Sequence, residues 1–197
     1  MSFILGLTGS IGMGKSTTAK LFAQMGCAVW DADAAVHRLY AKGGKAVAPM
    51  QKVFPDAIVD SAVDRSVLRT VISGDTSALK KIEAVVHPLV AQDRADFIAQ
   101  TEADIIVLDI PLLFETGMHK KVDAVACVSV PTDIQSQRVM ERGTLTESQF
   151  RNILSSQMDN DTKSAQSDFV IQTDTLDHAT EQVRNVLHQI REKYLNA

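Results

Sequence analysis

Cysteine is scarce in this chain. Cys27 and Cys127 are the only two, and neither belongs to a C-x-x-C pair. That excludes a disulfide framework and a cysteine-based zinc site, and it fits a reducing compartment. Both lie in apolar runs, where cysteine behaves as a small core residue. Positive charge is not in excess either: 20 Lys and Arg stand against 24 Asp and Glu, a net charge of −4. Neither nucleic acid nor an anionic membrane surface is therefore an expected partner. No apolar run approaches the roughly 20 residues of a membrane span. The first residues carry neither a charged n-region nor a cleavage site, so a cytoplasmic protein is expected. His119, His178 and His188 lack metal-ligand spacing, and there are no internal repeats or low-complexity tracts. What is present is ordinary for a globular protein: 197 residues, 45% hydrophobic and 22% charged. This suits one domain with a small insertion.

The most informative stretch is Thr8-Gly9-Ser10-Ile11-Gly12-Met13-Gly14-Lys15-Ser16-Thr17, which contains G-x-x-x-x-G-K-[ST]. Each residue type has a physical task. Glycines let the loop curl around an anion, and the curled backbone aims successive N–H groups inward as a nest for phosphate oxygens. Lys15 adds a mobile positive charge for the β/γ-phosphates, and the Ser16 hydroxyl suits Mg²⁺. An apolar run before the loop, at 3–7, reads as a buried strand. The stretch after it, to Met25 with Gly26 as a stop, reads as a helix whose N-terminus favours the same anion.

Four further apolar runs read as strands, at 27–31, 105–110, 124–130 and 168–172. Alternating with helical stretches, they predict an α/β fold with a five-stranded parallel sheet flanked by helices. Ligands of such sheets gather beyond the carboxyl ends of the strands. Asp31 and Asp33 stand at one such end, where a carboxylate either accepts a proton from a substrate hydroxyl or caps the next helix. Asp109 ends the run Ile105–Leu108 and matches the acidic element that holds Mg²⁺ in phosphate-loop enzymes. Residues 45–103 show no strand pattern and read as helices, one N-capped by Asp64 and one from Ser77 to Val86. His87-Pro88 is expected to break that second helix before another, Leu89 to Gln100. Arg65, Arg69 and His87 are either anion contacts or solvated surface groups. Gln135, Arg138 and Arg142 share one helix face at spacings of three and four. That face either reaches over the phosphates or is simply solvated. Thr146 and Gln149 form a capping box for the helix that follows.

No N-K-x-D guanine signature is present, and a short chain with a helical insertion and an arginine-bearing lid suits a small-molecule kinase. A nucleoside-monophosphate kinase or a non-catalytic nucleotide-binding regulator are the alternatives. The residues themselves resemble the dephospho-coenzyme A kinases. The phosphate loop, Asp31-Ala32-Asp33, Asp64-Arg65 with Leu68-Arg69, His87-Pro88-Leu89, Pro111-Leu112-Leu113-Phe114-Glu115, Gln135 with Arg138 and Arg142, and Gln157 match in family order. The resemblance implies a P-loop NTPase fold and ATP-dependent phosphorylation of the ribose 3′-hydroxyl of dephospho-CoA, with Mg²⁺ as cofactor; a monomer is the expected state, although no residue pattern in the chain sets it. The resemblance also implies that Asp33 is the base and that Gly9 to Thr17 hold ATP, with Lys15, Arg138 and Arg142 catalytic. Ser16 and Asp109 would take the metal, and Asp33, Arg65, Arg69, His87 and Leu112, Leu113, Phe114 and Glu115 the acceptor. One kinase domain spanning 1–197 is implied: a core of 1–40, 104–130 and 165–197, a helical acceptor-binding insertion at 41–103, and a lid at 131–164. Ser10 and Met13 stand where Gly and Ser are frequent in that family, His37 where Arg is frequent, and Thr173 where Asn is frequent.

Overall fold

A computed structural model describes residues 2–75 and 77–195. In chain order the elements are β1 (Phe3–Thr8), α1 (Lys15–Gln24), β2 (Ala28–Asp31), α2 (Ala32–Tyr40), α3 (Val47–Val53), β3 (Ile58–Val59) and β4 (Ala62–Val63). Then come α4 (Arg65–Gly74), α5 (Ala78–Gln100), β5 (Ile105–Asp109), β6 (Ala124–Ser129), α6 (Thr132–Glu141), α7 (Glu147–Ser156), α8 (Asn160–Ala165), β7 (Phe169–Gln172) and α9 (Leu176–Ile190).

The main sheet has five strands in the order β2-β5-β1-β6-β7. β1 pairs in parallel with β5 and β6, and β6 with β7. These are the five runs visible in the sequence. They are apolar throughout because both faces of a parallel sheet are covered by helices. Leu5, Leu7, Val107, Ala126 and Val128 meet Phe22 of α1 and Val183, Leu187 and Ile190 of α9 in one core. Gly6 faces the other way and admits Leu113, whose Cδ2 would lie 2.9 Å from a Cβ at that position. The central position of β1 sends the phosphate loop out at the middle of the sheet, beyond its carboxyl edge.

The chain divides into two compact units: its two end portions together, up to Trp30 and from Thr101 onward, and Asp31–Gln100 between them. The second unit has its own core of Leu39, Tyr40, Met50, Val63, Leu68, Ile82 and Val86. Asp31 caps α2 by accepting from the Ala34 N–H at 2.9 Å. Asp64 caps α4 through the Ser66 and Val67 N–H groups.

Two sequence expectations are corrected in this unit. The stretch held to lack strands contains the hairpin β3–β4, with Ile58 opposite Val63. Its turn residues Asp60 and Ser61 have φ of 50° and 64°, a left-handed geometry usually signalled by Asn-Gly, which is missing here. The predicted break at His87-Pro88 does not occur: α5 runs unbroken through Pro88. Pro88 lies on an exposed stretch, as does Ala84, whose carbonyl loses its partner. Water can satisfy that carbonyl, while Ile82, Val86 and Leu89 hold the helix against the core on the other side.

Candidate active site

The phosphate loop joins β1 to α1, as its glycine pattern predicts. Gly14 has a φ of 87° and sits directly before α1, so the first N–H groups of that helix open toward the loop's concave side. Gly12 has a φ of 82°, and a Cβ there would lie 2.7 Å from Val139 Cγ2 and 3.0 Å from the Gln135 carbonyl oxygen. Helix α6 is thus laid against the loop at a point where only glycine fits. Lys15 reaches the carboxylate of Asp109 at the end of β5, and the Asp109 side chain is 3% exposed. The two charges that the loop and the acidic strand end contribute are in contact. Ser16 is exposed in the first turn of α1.

Side chains from distant segments brace the loop. The Ser10 N–H donates to Asn160 Oδ1 at 3.0 Å, and the Ile11 N–H to Gln157 Oε1 at 3.4 Å. Gln135 Nε2 donates to the Ile11 carbonyl at 2.7 Å, and the Thr173 hydroxyl donates to the Met13 carbonyl at 2.7 Å. Met13 is 4% exposed, and its sulfur accepts from the Val130 N–H at 3.3 Å. Gln135, Asn160 and Thr173 are themselves buried. A loop held at so many points is preorganised before any ligand arrives, which is what electrostatic catalysis by backbone dipoles requires.

Beside the loop lies an open cleft of about 430 Å³, lined among others by Gly14, Thr17, Arg138, Arg142, Thr175 and Leu176. Both arginines that share a helix face in the sequence reach it. Arg138 donates from Nη2 to the Thr173 carbonyl at 2.6 Å and to that of Asp174 at 3.3 Å. Leu176, 60% exposed, and Ala179, 2% exposed, give the cleft an apolar wall suited to a flat ring.

In the segment after β5 the side chains differ sharply in exposure. Of Leu112, Leu113, Phe114 and Glu115, only Leu112 offers a large open apolar side chain, at 41% exposure; Leu113 is 0% and Phe114 6% exposed. Phe114 packs on His119 at 5.0 Å between ring centroids. Glu115 Oε1 lies 2.9 Å from the ammonium of Lys163, whose side chain is wholly buried, and accepts from the Met158 N–H at 2.8 Å. Lys163 also donates to the Pro111 carbonyl at 3.1 Å. Burial pushes the Glu115 carboxyl up, but hydrogen bonds from Lys163 and the Met158 N–H, with the ammonium's charge, outweigh it and hold it below its ordinary value of 4.5. A depressed folded value means that this pair stabilises the protein above pH 4.5 and that the contribution is lost as pH falls through the folded value. Lys163→Met is expected to destabilise the chain at pH 7 by about 2–4 kcal/mol, since it strands a partly buried carboxylate. Urea unfolding at pH 7 and in acid checks this, and the gap to wild type should narrow in acid.

Asp33 lies exposed in the first turn of α2, and Asp31 takes the capping role. Arg65 and Arg69 stand one turn apart on α4, with the Arg65 guanidinium 5.8 Å from the centroid of the Tyr40 ring. His87 and His37 are exposed. Sequence reasoning missed Asn160, Lys163 and the bracing role of Thr173. The polar stretch around α8 carries no apolar periodicity, so nothing marked two of its residues as interior.

A family model described as dephospho-CoA kinase matches residues 3–179. A dephospho-CoA kinase of Ruegeria pomeroyi is 63% identical over 197 residues, covering 100% of both chains. Another, of Cereibacter sphaeroides, is 53% identical over 190 residues, 96% of each chain. Among solved structures, TT1252 from Thermus thermophilus superposes with a TM-score of 0.85 at 32% identity, covering 96% of this chain and 98% of the other. The dephospho-CoA kinase from Campylobacter jejuni, at 23% identity and a TM-score of 0.71 over 98% of each chain, shares the fold.

Proposed function

Since the chain belongs to the dephospho-CoA kinase family, we propose that its phosphate loop, Asp33, Arg138 and Arg142 carry that family's reaction. The reaction transfers the γ-phosphoryl group of ATP to the ribose 3′-hydroxyl of dephospho-coenzyme A, giving coenzyme A and ADP, the last step of coenzyme A synthesis. The observation that carries the assignment is full-length similarity to dephospho-CoA kinases, with a braced phosphate loop at the middle strand.

Loop amides from Gly9 to Thr17 and the Lys15 ammonium bind the phosphates, and the apolar wall at Leu176 and Ala179 takes the base. Asp33 orients the acceptor hydroxyl and accepts its proton as the new P–O bond forms and the bond to the β-phosphate oxygen breaks. Arg138 and Arg142 neutralise charge on the transferred group. Catalysis is therefore mostly positioning and electrostatics. Ser16 and Asp109 supply the oxygen donors that fit Mg²⁺, an ion content with one or two protein ligands beside phosphate and water. When bound, Mg²⁺ neutralises charge on the β- and γ-phosphates.

Arg65, Arg69 and His87, on the Asp31–Gln100 unit, contact the acceptor's anionic groups. Within the lid segment 131–164, Gln135, Asn160 and Lys163 are anchored, so closure falls to α7 and the turn at Gly143. Leu113 and Phe114 support the acceptor segment from beneath, leaving Leu112 to touch the ligand. Free, buried Cys27 and Cys127 suit the reducing cytoplasm; burial pushes the Cys27 thiol up to about 11.

ADP release measured with dephospho-CoA, AMP, CMP and shikimate as acceptors tests the reading. Turnover is expected with dephospho-CoA only, to stop when EDTA is added and to return with excess Mg²⁺. Turnover confined to another acceptor overturns it.

A further inference from the structure

A single hydroxyl joins the phosphate loop to the arginine above it. Thr173 follows β7, and its N–H donates to the Ser129 carbonyl at 3.0 Å, fixing the residue at the carboxyl edge of the sheet. The side chain is buried, at 7% exposure for the residue. Its one hydroxyl proton goes to the Met13 carbonyl at 2.7 Å. The same oxygen accepts from Arg138 Nη1 at 3.2 Å, and the Thr173 carbonyl accepts from Nη2 at 2.6 Å. The polarity runs one way, from guanidinium to hydroxyl to loop carbonyl. Only a group that both donates and accepts can occupy the middle of such a chain. Gly14 completes the arrangement: a Cβ there would lie 2.7 Å from Thr173 Oγ1, so the glycine lets the hydroxyl sit close to the loop.

We infer that Thr173 is a positioning residue for phosphoryl transfer, aligning Arg138 over the nucleotide cleft and fixing the Met13 turn of the phosphate loop with one hydroxyl. Arg138 has three acceptors in reach, namely the Thr173 hydroxyl, the Thr173 carbonyl and the Asp174 carbonyl. Its fork is thereby held in one orientation before nucleotide binds, so less side-chain freedom is lost when charge develops on the transferred group. The inference rests on the phosphate-facing role of Arg138 stated above.

The test compares T173V, which keeps shape and removes the hydroxyl, with T173S, which keeps it. T173V is expected to lower kcat about tenfold, the lower range for loss of a hydrogen bond to a charged group, with the KM for dephospho-CoA unchanged. T173S is expected to stay within about twofold of wild type. A double-mutant cycle with R138A separates a positioning role from a general loss of packing. If Thr173 acts in part through Arg138, the loss caused by T173V is smaller in the R138A background than in wild type, and what remains is the share carried by the Met13 carbonyl. Full additivity, a T173V enzyme at wild-type rate, or a T173S enzyme as impaired as T173V each overturns the inference. R138A at wild-type rate instead overturns the role given to Arg138 itself. If T173V does not fold, as judged by circular dichroism, R138K carries the test. It keeps the charge but loses the fork, and the same tenfold fall is expected; an unimpaired R138K enzyme overturns the inference.

Discussion

Replacing Asp33 by asparagine is expected to lower the rate of phosphoryl transfer to dephospho-CoA by about 10²–10⁴-fold, the range for a lost general base. ATP affinity should change little. Asp33 sits in the first turn of α2, and neighbouring Asp31 already supplies the cap of that helix. Removing the Asp33 carboxylate therefore leaves the fold its terminus, and a stability change within about 0.5 kcal/mol is expected for a surface substitution of this kind. Single-turnover kinetics with saturating ATP, beside calorimetric titration of ADP, separate the two effects. If D33N binds nucleotide poorly and unfolds early, Asp33 is structural and the base lies elsewhere.

The second large effect is at Lys15. Lys15→Ala should reduce kcat/KM by about 10²–10³-fold, the cost of deleting one preorganised electrostatic contact at a reacting centre. Lys15→Arg is expected to restore little. A planar guanidinium on a differently shaped stem does not reproduce the compact, rotatable ammonium that reaches Asp109 from the first residue of α1. The contact between Lys15 and Asp109 makes a further demand. Deleting the lysine leaves a nearly buried carboxylate without that cation, so K15A should also lose stability, whereas K15A/D109N should recover part of it. Thermal melts of wild type, K15A and K15A/D109N, taken with the transfer assay, read both consequences. Equal melting temperatures for all three would mean that the contact is incidental.

The sequence made the sheet legible because its strands are buried on both faces and so appear as unbroken apolar runs, Ile105-Ile106-Val107-Leu108 among them. The cap at Asp64 and the capping box of Thr146 and Gln149 were equally readable, since each is a contact within one turn. Pro88 misled for the converse reason. The local rule is to end a helix there, but burial of Ile82, Val86 and Leu89 outweighs one lost hydrogen bond on the solvent side. The β3–β4 hairpin escaped notice because each of its strands has two residues and its turn uses Asp60 and Ser61.

By itself, then, the chain's sequence determined the α/β class, the phosphate loop and the family. These depend on residues adjacent in sequence: glycine freedom at fixed spacing, apolar runs, and short motifs in order. Only the tertiary structure decided what holds the loop. Ser10 meets Asn160 across 150 residues, Ile11 meets Gln135 across 124, and Met13 meets Thr173 across 160. A hydrogen bond over such a separation imposes no period and no composition on the chain between its ends. It comes into being when β6, β7 and α6 stack beside β1 and bring together polar groups that must be paired once buried.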